Sequence, residues 1–511
     1  MKRPTLSLIA VATALAAVTG FAALTAPDGS AAPEAKAPTT LPVERSSLLC
    51  PAPSNSEVAE TDYVSYTPAT AKAAGSPATG SGSAAPTAKA ELKAAASAAT
   101  PGGATAKKPG AAKAPATVTE PGKPVAAEAN GPTAPALTGA ATGGLAPGWT
   151  VQQTTVVTAG GARGLLGVAC TAPDTDFWFP AASTAKERQD YVHLTNPDDT
   201  AAVADIELYG PEGPLKSQLS EGIPVPAHSS VPVLLSTLTS QAPTADVTVH
   251  VTTRSGRVGA VIGAADDKLG SDWLPASADP AGTAVLPGIP ADATSVRLVA
   301  YAPGEDDAEL KIQLVGETGT IVPASAQALH VKSGMTASVD LPDLTRGATG
   351  SLLLTPSDPK KSTPFVAALR VTRGKGDKQE VGFIPATAAI AARATVADNR
   401  AAGSTLSLTA PGEAAQVKVT ASAGTGGGSP VSKTVTVKAG TTAKVTDLVP
   451  AGLKGSYALT VERVSGGPVH ASRLLAVPTD GIPMFTVQSL VDDRGTVRVP
   501  TARQDLSVLD D

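Results

Sequence analysis

Apolar residues recur at every second position over Ala202-Val203-Ala204-Asp205-Ile206-Glu207-Leu208, with acids between them in the second half, and Gly210 follows. The same alternation returns at Ala308-Glu309-Leu310-Lys311-Ile312-Gln313-Leu314 before Gly316, and again at Ala415-Gln416-Val417-Lys418-Val419-Thr420-Ala421. A period of two predicts a strand with one buried and one wet face. Ala204, Ile206, Leu208, Leu310, Ile312 and Leu314 are therefore expected inside, with Asp205, Glu207, Lys311 and Gln313 outside. A second landmark keeps the same phase: Val225, Val331 and Val437 lie 106 positions apart each time. Self-similarity at a fixed period marks a tandem array of modules.

Further strands are expected after each landmark, at Val231–Leu235, Ala337–Leu341 and Ala443–Val445. Each repeat then closes on two more: Val247–Thr252 with Val258–Ile262, Ser351–Leu354 with Phe365–Val371, and Tyr457–Val461 with Val469–Leu475. About seven short strands per hundred residues is the count of an immunoglobulin-like sandwich, although the Cys…Trp…Cys spacing is missing. The predicted fold is all-β: tandem immunoglobulin-like sandwiches behind an N-terminal helix and a disordered insert. Half-repeats at both ends, Arg163–Ala169 and Leu506–Leu509, leave a closed propeller-like ring as the alternative to a linear rod. The rod is the simpler arrangement.

The predicted organisation follows from these patterns. Lys2 and Arg3 precede an uncharged apolar run from Leu6 to Leu24. This reads as a targeting segment at 1–25, with the remainder exported. The run is long enough to span a bilayer and lacks a good cleavage site, so it is expected to stay as a membrane anchor, with secretion after cleavage as the alternative. Residues 26–42 read as a disordered linker, 43–66 as a strand segment, and 67–148 as a low-complexity insert too poor in large apolar residues to fold. Alanine raises the helix option locally, as in Ala90–Ala99, where flanking Pro and Gly would keep any helix short. A partial module at 149–190 is followed by repeats at 191–290, 291–395 and 396–485, and by a partial repeat at 486–511.

In a chain with only 3% aromatic residues, four recur near module junctions. They are Trp178, Trp273 and Phe383, each near a Pro-Ala step, and Phe485 in a degenerate copy. Packing between neighbouring modules is the expected role, and a ladder of ligand platforms the alternative. Cys50 and Cys170 are the two cysteines, and in an exported chain they are expected to form one disulfide. That bridge would close a loop of roughly 120 residues, stabilising on the order of 4–5 kcal/mol in the chain-entropy model.

Chemistry is scarce. Ser183-Thr184-Ala185-Lys186 fits the Ser-x-x-Lys of penicillin-binding enzymes, and Lys332-Ser333-Gly334 nearly fits their Lys-Thr-Gly. Ser183, however, falls in a polar loop between β segments rather than at the start of a helix. The five histidines, His193, His228, His250, His330 and His470, have no zinc spacing. Paired aspartates such as Asp198-Asp199 and Asp306-Asp307 read as turn residues rather than calcium ligands. No cofactor or metal is expected, and a net charge of −5 without a basic face implies no nucleic-acid partner.

Several segments together resemble a known family. They are Asp176-Phe177-Trp178-Phe179-Pro180, Leu194-Thr195-Asn196-Pro197, Gly270-Ser271-Asp272-Trp273-Leu274-Pro275 and Val285-Leu286-Pro287-Gly288, with the apolar N-terminus and the Cys50-Pro51 segment. The chain is similar, over Val43–Tyr66 and from Trp149 onward, to domain-of-unknown-function family 5719, found in actinobacterial secreted or membrane-anchored proteins. The resemblance implies an extracytoplasmic β protein and transfers no catalytic residue. The expected function is a non-catalytic envelope scaffold or binding protein, its partner an envelope glycan or an envelope protein. A carbohydrate-binding module is the first alternative and a Ser-x-x-Lys hydrolase the second.

Overall fold

The computed structural model describes residues 39–69, 88–97, 116–219 and 221–499. The expected anchor, most of the linker, two stretches of the insert and the Leu506–Leu509 half-strand lie outside them. Two units separate. One, formed by the chain ends, contains a two-stranded antiparallel ribbon, Thr39–Pro42 against Thr496–Val499. The other, Val43–Gly495, holds all remaining elements described below.

The described residues are all-β, interrupted only by two short 3-10 turns. The repeat is visible in the ladders. Ala202 pairs with Val225, Ala308 with Val331 and Ala415 with Val437, and all six side chains are buried. The 106-residue period thus preserves one cross-strand pair at the same place in three cores, because a residue facing a core tolerates little change of shape. The inward positions expected from the alternation, Ala204, Ile206, Leu208, Leu310, Ile312 and Leu314, are buried.

Each module has two sheets. In the second module one sheet joins Asp176–Ala182, Val247–Ser255 and Ala202–Gly210, with two short strands beyond. The other runs Ser229–Leu234, Arg188–Thr195, Gly259–Asp266 and Gly270–Leu274. The third module repeats this order from Ala284–Ile289 to Lys378–Pro385, and the fourth from Arg393–Asn399 to Phe485–Leu490. The pairing departs from the immunoglobulin order. There the first two strands share a sheet, whereas here they lie in opposite sheets.

The low-complexity insert is the main correction. Ala90–Ala94, Val125–Asn130 and Leu137–Thr142 are strands. With Arg45–Cys50, Ala59–Tyr66, Thr150–Val157 and Gly164–Ala169 they build a full first module of the same order, 3-stranded against 4-stranded. Leu92, Leu137, Ala141 and Val118 fill its core beside Tyr63, Trp149 and Val151. The Ala90–Ala94 segment prefers helix in isolation, but pairing with Leu137–Ala141 and burial of Ala90 and Leu92 override that preference. The Cys50–Cys170 disulfide lies in this core. Its neighbours Leu49 and Thr171 exchange backbone hydrogen bonds of 2.8 and 3.1 Å.

The rod is also corrected. The closing strands of the four modules, Gly164–Ala169, Gly270–Leu274, Lys378–Pro385 and Phe485–Leu490, touch in a cycle: first to second, second to third, third to fourth and fourth to first. Four modules therefore close into a ring around these strands, although no single sheet closes into a barrel. The ends of this unit meet, with the Val43 amide donating to the Gly495 carbonyl at 3.1 Å.

Candidate functional site

Trp273, Phe383 and Phe485 each belong to a closing strand, and each reaches backwards into the preceding module. Trp273 is buried among Ala59, Val157, Leu166 and Val168 of the first module. Phe383 joins the core of the second module, and Phe485 that of the third. The first module has no aromatic here. Its Leu165 packs instead on Leu475 and Met484 of the fourth, completing the cycle. Trp178 lies on an opening strand and is not equivalent to the other three by position. It is buried with Tyr301 and Val366 of the third module.

The surface above Trp178 is the richest in side-chain chemistry. Trp178, His250 and Glu207 are cross-strand neighbours on one face of the second module's sheet. The His250 ring lies on the Trp178 indole, with centroids 3.6 Å apart and planes within 9°. Tyr301 also stacks with Trp178, at 5.5 Å, and Tyr209 approaches Tyr301 at 4.6 Å. His250 Nε2 is 3.2 Å from Asp176 and Nδ1 is 3.3 Å from Glu207, which also accepts a 2.9 Å bond from the Tyr209 hydroxyl. Burial raises the Tyr209 and Tyr301 hydroxyls, Tyr301 to about 12, and carboxylate Glu207 adds to the rise. Asp176 and Glu207 remain more than half exposed. Both imidazole nitrogens are engaged, so His250 is placed as a cross-link between carboxylates rather than as a free base. The arrangement can present an acidic rim over an aromatic base to a partner.

The Ser-x-x-Lys segment is built differently from a catalytic pair. Ser183 is buried; its amide donates to Asp190 and its oxygen accepts from the Ala185 amide. Arg188 clamps the same Asp190 with two bonds, and burial raises the Asp190 carboxyl despite that partner. Lys186 is exposed. The turn is thus organised around the Asp190 carboxylate, and Ser333 sits in another turn, its amide held by Asp307. The turn aspartates have protein partners, Asp198 with Arg257 and Asp199 with His228. Among the described residues no group of three or more His, Cys, Asp or Glu is arranged to hold a metal ion.

His470 is buried and His193 partly so, and desolvation pushes both down to about 4. His193 lines a small cavity with Leu49, Pro51, Val168 and Gly259 beside the disulfide. His330 pairs with Glu309 on the surface.

Sequence reading missed two residues altogether, Asp272 and Glu380. Each is buried on a closing strand where the four modules meet. Burial raises the Asp272 carboxyl well above its ordinary range and pushes Glu380 up to about 8. No local signal marks either one, since Asp272 follows Ser271 and Glu380 follows Lys378-Gln379.

No curated protein and no solved structure matches the chain. A family model matches residues 125–447, from the Val125–Asn130 strand of the first module into the fourth module. That match spans most of the chain, and the protein belongs to the family of unknown function DUF5719.

Proposed function

We propose that this protein is a non-catalytic, extracytoplasmic binding scaffold, held at the cell membrane by its N-terminal apolar segment, whose partner is an envelope protein. The observation that carries the reading is the surface over Trp178. Asp176 and Glu207, more than half exposed and tied together by His250 over the buried Trp178, form an acidic surface suited to a protein partner that carries basic groups. The disulfide adds support for an oxidising compartment. No described helix is long and apolar enough to cross a membrane, and the apolar run at residues 6–24 lies outside the described residues.

The carbohydrate-binding alternative needs exposed aromatic platforms. Trp149, Trp178 and Trp273 are 4%, 8% and 3% exposed, so their faces are committed to packing. The hydrolase alternative needs Ser183 beside an activating lysine, and the buried serine and exposed Lys186 do not favour it.

The test is a pull-down from native envelope fractions with residues 43–511, analysed for glycans and proteins, beside an Asp176→Lys/Glu207→Lys variant. A protein retained by the wild type and lost from the variant is the expected result. Enrichment of a polysaccharide would replace the reading with the carbohydrate one. Equal retention by both forms would move the contact to another surface.

A further inference from the structure

The four closing strands meet at an unusually polar place. Glu380, on the third module, extends to the first, where one of its oxygens accepts from the Leu165 amide at 2.9 Å. Asp272, on the second module, accepts from the Gly167 amide of the first at 3.0 Å and from the Thr486 hydroxyl of the fourth at 3.2 Å. Gln488 continues the chain by donating to Thr486 at 3.0 Å. Gly164–Ala169 is an edge strand, hydrogen-bonded to Thr150–Val157 on one side alone. Its outward amides at 165 and 167 would be orphans without these carboxyls, and such edges must be covered. Glycine makes the approach possible. A Cβ on Gly270 would fall 2.8 Å from Glu380 Oε2, and one on Gly167 would fall 1.8 Å from Gln488 Nε2.

We propose that this junction is a proton-operated latch: Asp272 and Glu380 in their neutral forms lock the first module to the other three, and loss of their protons loosens it.

The charges around the pair fit this role. Facing Asp272 are the Gly167 and Trp273 amides, the Thr486 hydroxyl and the Glu380 carboxyl, with no cation. Arg163 and Arg373 are the cations near Glu380. Arg163 already donates to the Gln379 and Lys268 carbonyls, and Arg373 is clamped on Asp292. Among the described residues neither acid forms an ion pair, and Asp272 Oδ2 and Glu380 Oε2 have no hydrogen-bond partner. An unpaired buried carboxylate is costly, and a neutral carboxyl much less so. Burial is the largest cause of the upward shift at both residues. Folded Glu380 therefore keeps its proton up to about pH 8, whereas an opened, solvated one loses it near 4.5. Between those values the closed ring binds the extra proton, so closure is fully favoured below the lower value, weakens as pH rises and levels off above the upper.

The experiment is amide hydrogen exchange on the intact protein from pH 5 to 9, corrected for intrinsic rates and read at Leu165 and Gly167. The opening equilibrium is expected to rise about three- to tenfold per pH unit up to pH 8 and then flatten. Glu380→Gln keeps the acceptor for the Leu165 amide and should remove most of the slope, with Asp272→Asn removing the rest. A flat wild-type profile, or an unchanged slope in the double variant, overturns the latch. Should the variants fail to fold, direct titration of the Glu380 carboxyl in the wild type decides. A midpoint near 8 sustains the proposal, and one near 4.5 ends it. No outcome depends on a partner, so the binding role stands or falls separately.

Discussion

Single residues set how closely the modules can approach. Gly164 opens the first module's closing strand, and a Cβ there would lie 2.2 Å from the Ser271 carbonyl and 3.0 Å from Glu380. The carbonyl is backbone and cannot rotate away. Gly164→Ala is expected to cost about 1–3 kcal/mol by overpacking, seen as a lower denaturant midpoint. Gly160→Ala makes a useful contrast, since nothing lies within 4 Å of its Cβ and only the φ of +87° opposes it. Equal losses at the two positions would mean that close approach is not what Gly164 provides. The inward residues of the alternating strands were legible in the sequence, because period-two patterning directly reports which face is wet. Asp272 and Glu380 were not. Their burial comes from strands that are remote in sequence, and nothing local distinguishes them from solvated acids.

At the scale of elements, the closing strand does two jobs. One of its faces completes its own core, with Leu274 and Ile384 as examples, and an aromatic on the other enters the module before it. Trp273→Ala should therefore cost about 3–5 kcal/mol and loosen the first–second seam more than the second module's own core. Denaturant unfolding gives the magnitude, and exchange protection at Val157 and Val168 should fall further than at Leu194 or Val249. Uniform loss at all four would show that Trp273 supports its own module instead. The aromatic recurrence was visible in the sequence for Trp273 and Phe383 near Pro-Ala steps and for Phe485 in a degenerate copy. Trp178 shared the motif but sits on an opening strand, because the motif records local composition and not position in a sheet. The strands at Ala90–Ala94, Val125–Asn130 and Leu137–Thr142 were illegible for a related reason. Their residues are small, and small residues form a core only when the facing sheet brings larger ones such as Tyr63, Trp149 and Val151.

At the scale of the whole molecule, closure makes the Val43–Gly495 unit cyclic in all but covalent bond, since its ends share a hydrogen bond. A circular permutant joining 495 to 43 by a short linker, with new termini in the exposed Asp358–Lys361 turn, should fold to the same compact form, because termini this close tolerate rejoining. Small-angle scattering checks it; an extended profile for the permutant would count against the ring. The sequence by itself determined that the chain is all-β and modular, with a period of about 106 residues and inward faces such as Ala204, Ile206 and Leu208. Those properties depend on alternation and spacing, which are local. Only the tertiary structure decided that there are four modules rather than three, that their sheets depart from the immunoglobulin order, and that they close into a ring over two buried acids. Each of those depends on pairings between residues tens to hundreds of positions apart, such as Leu165 with Glu380, which no window along the chain contains.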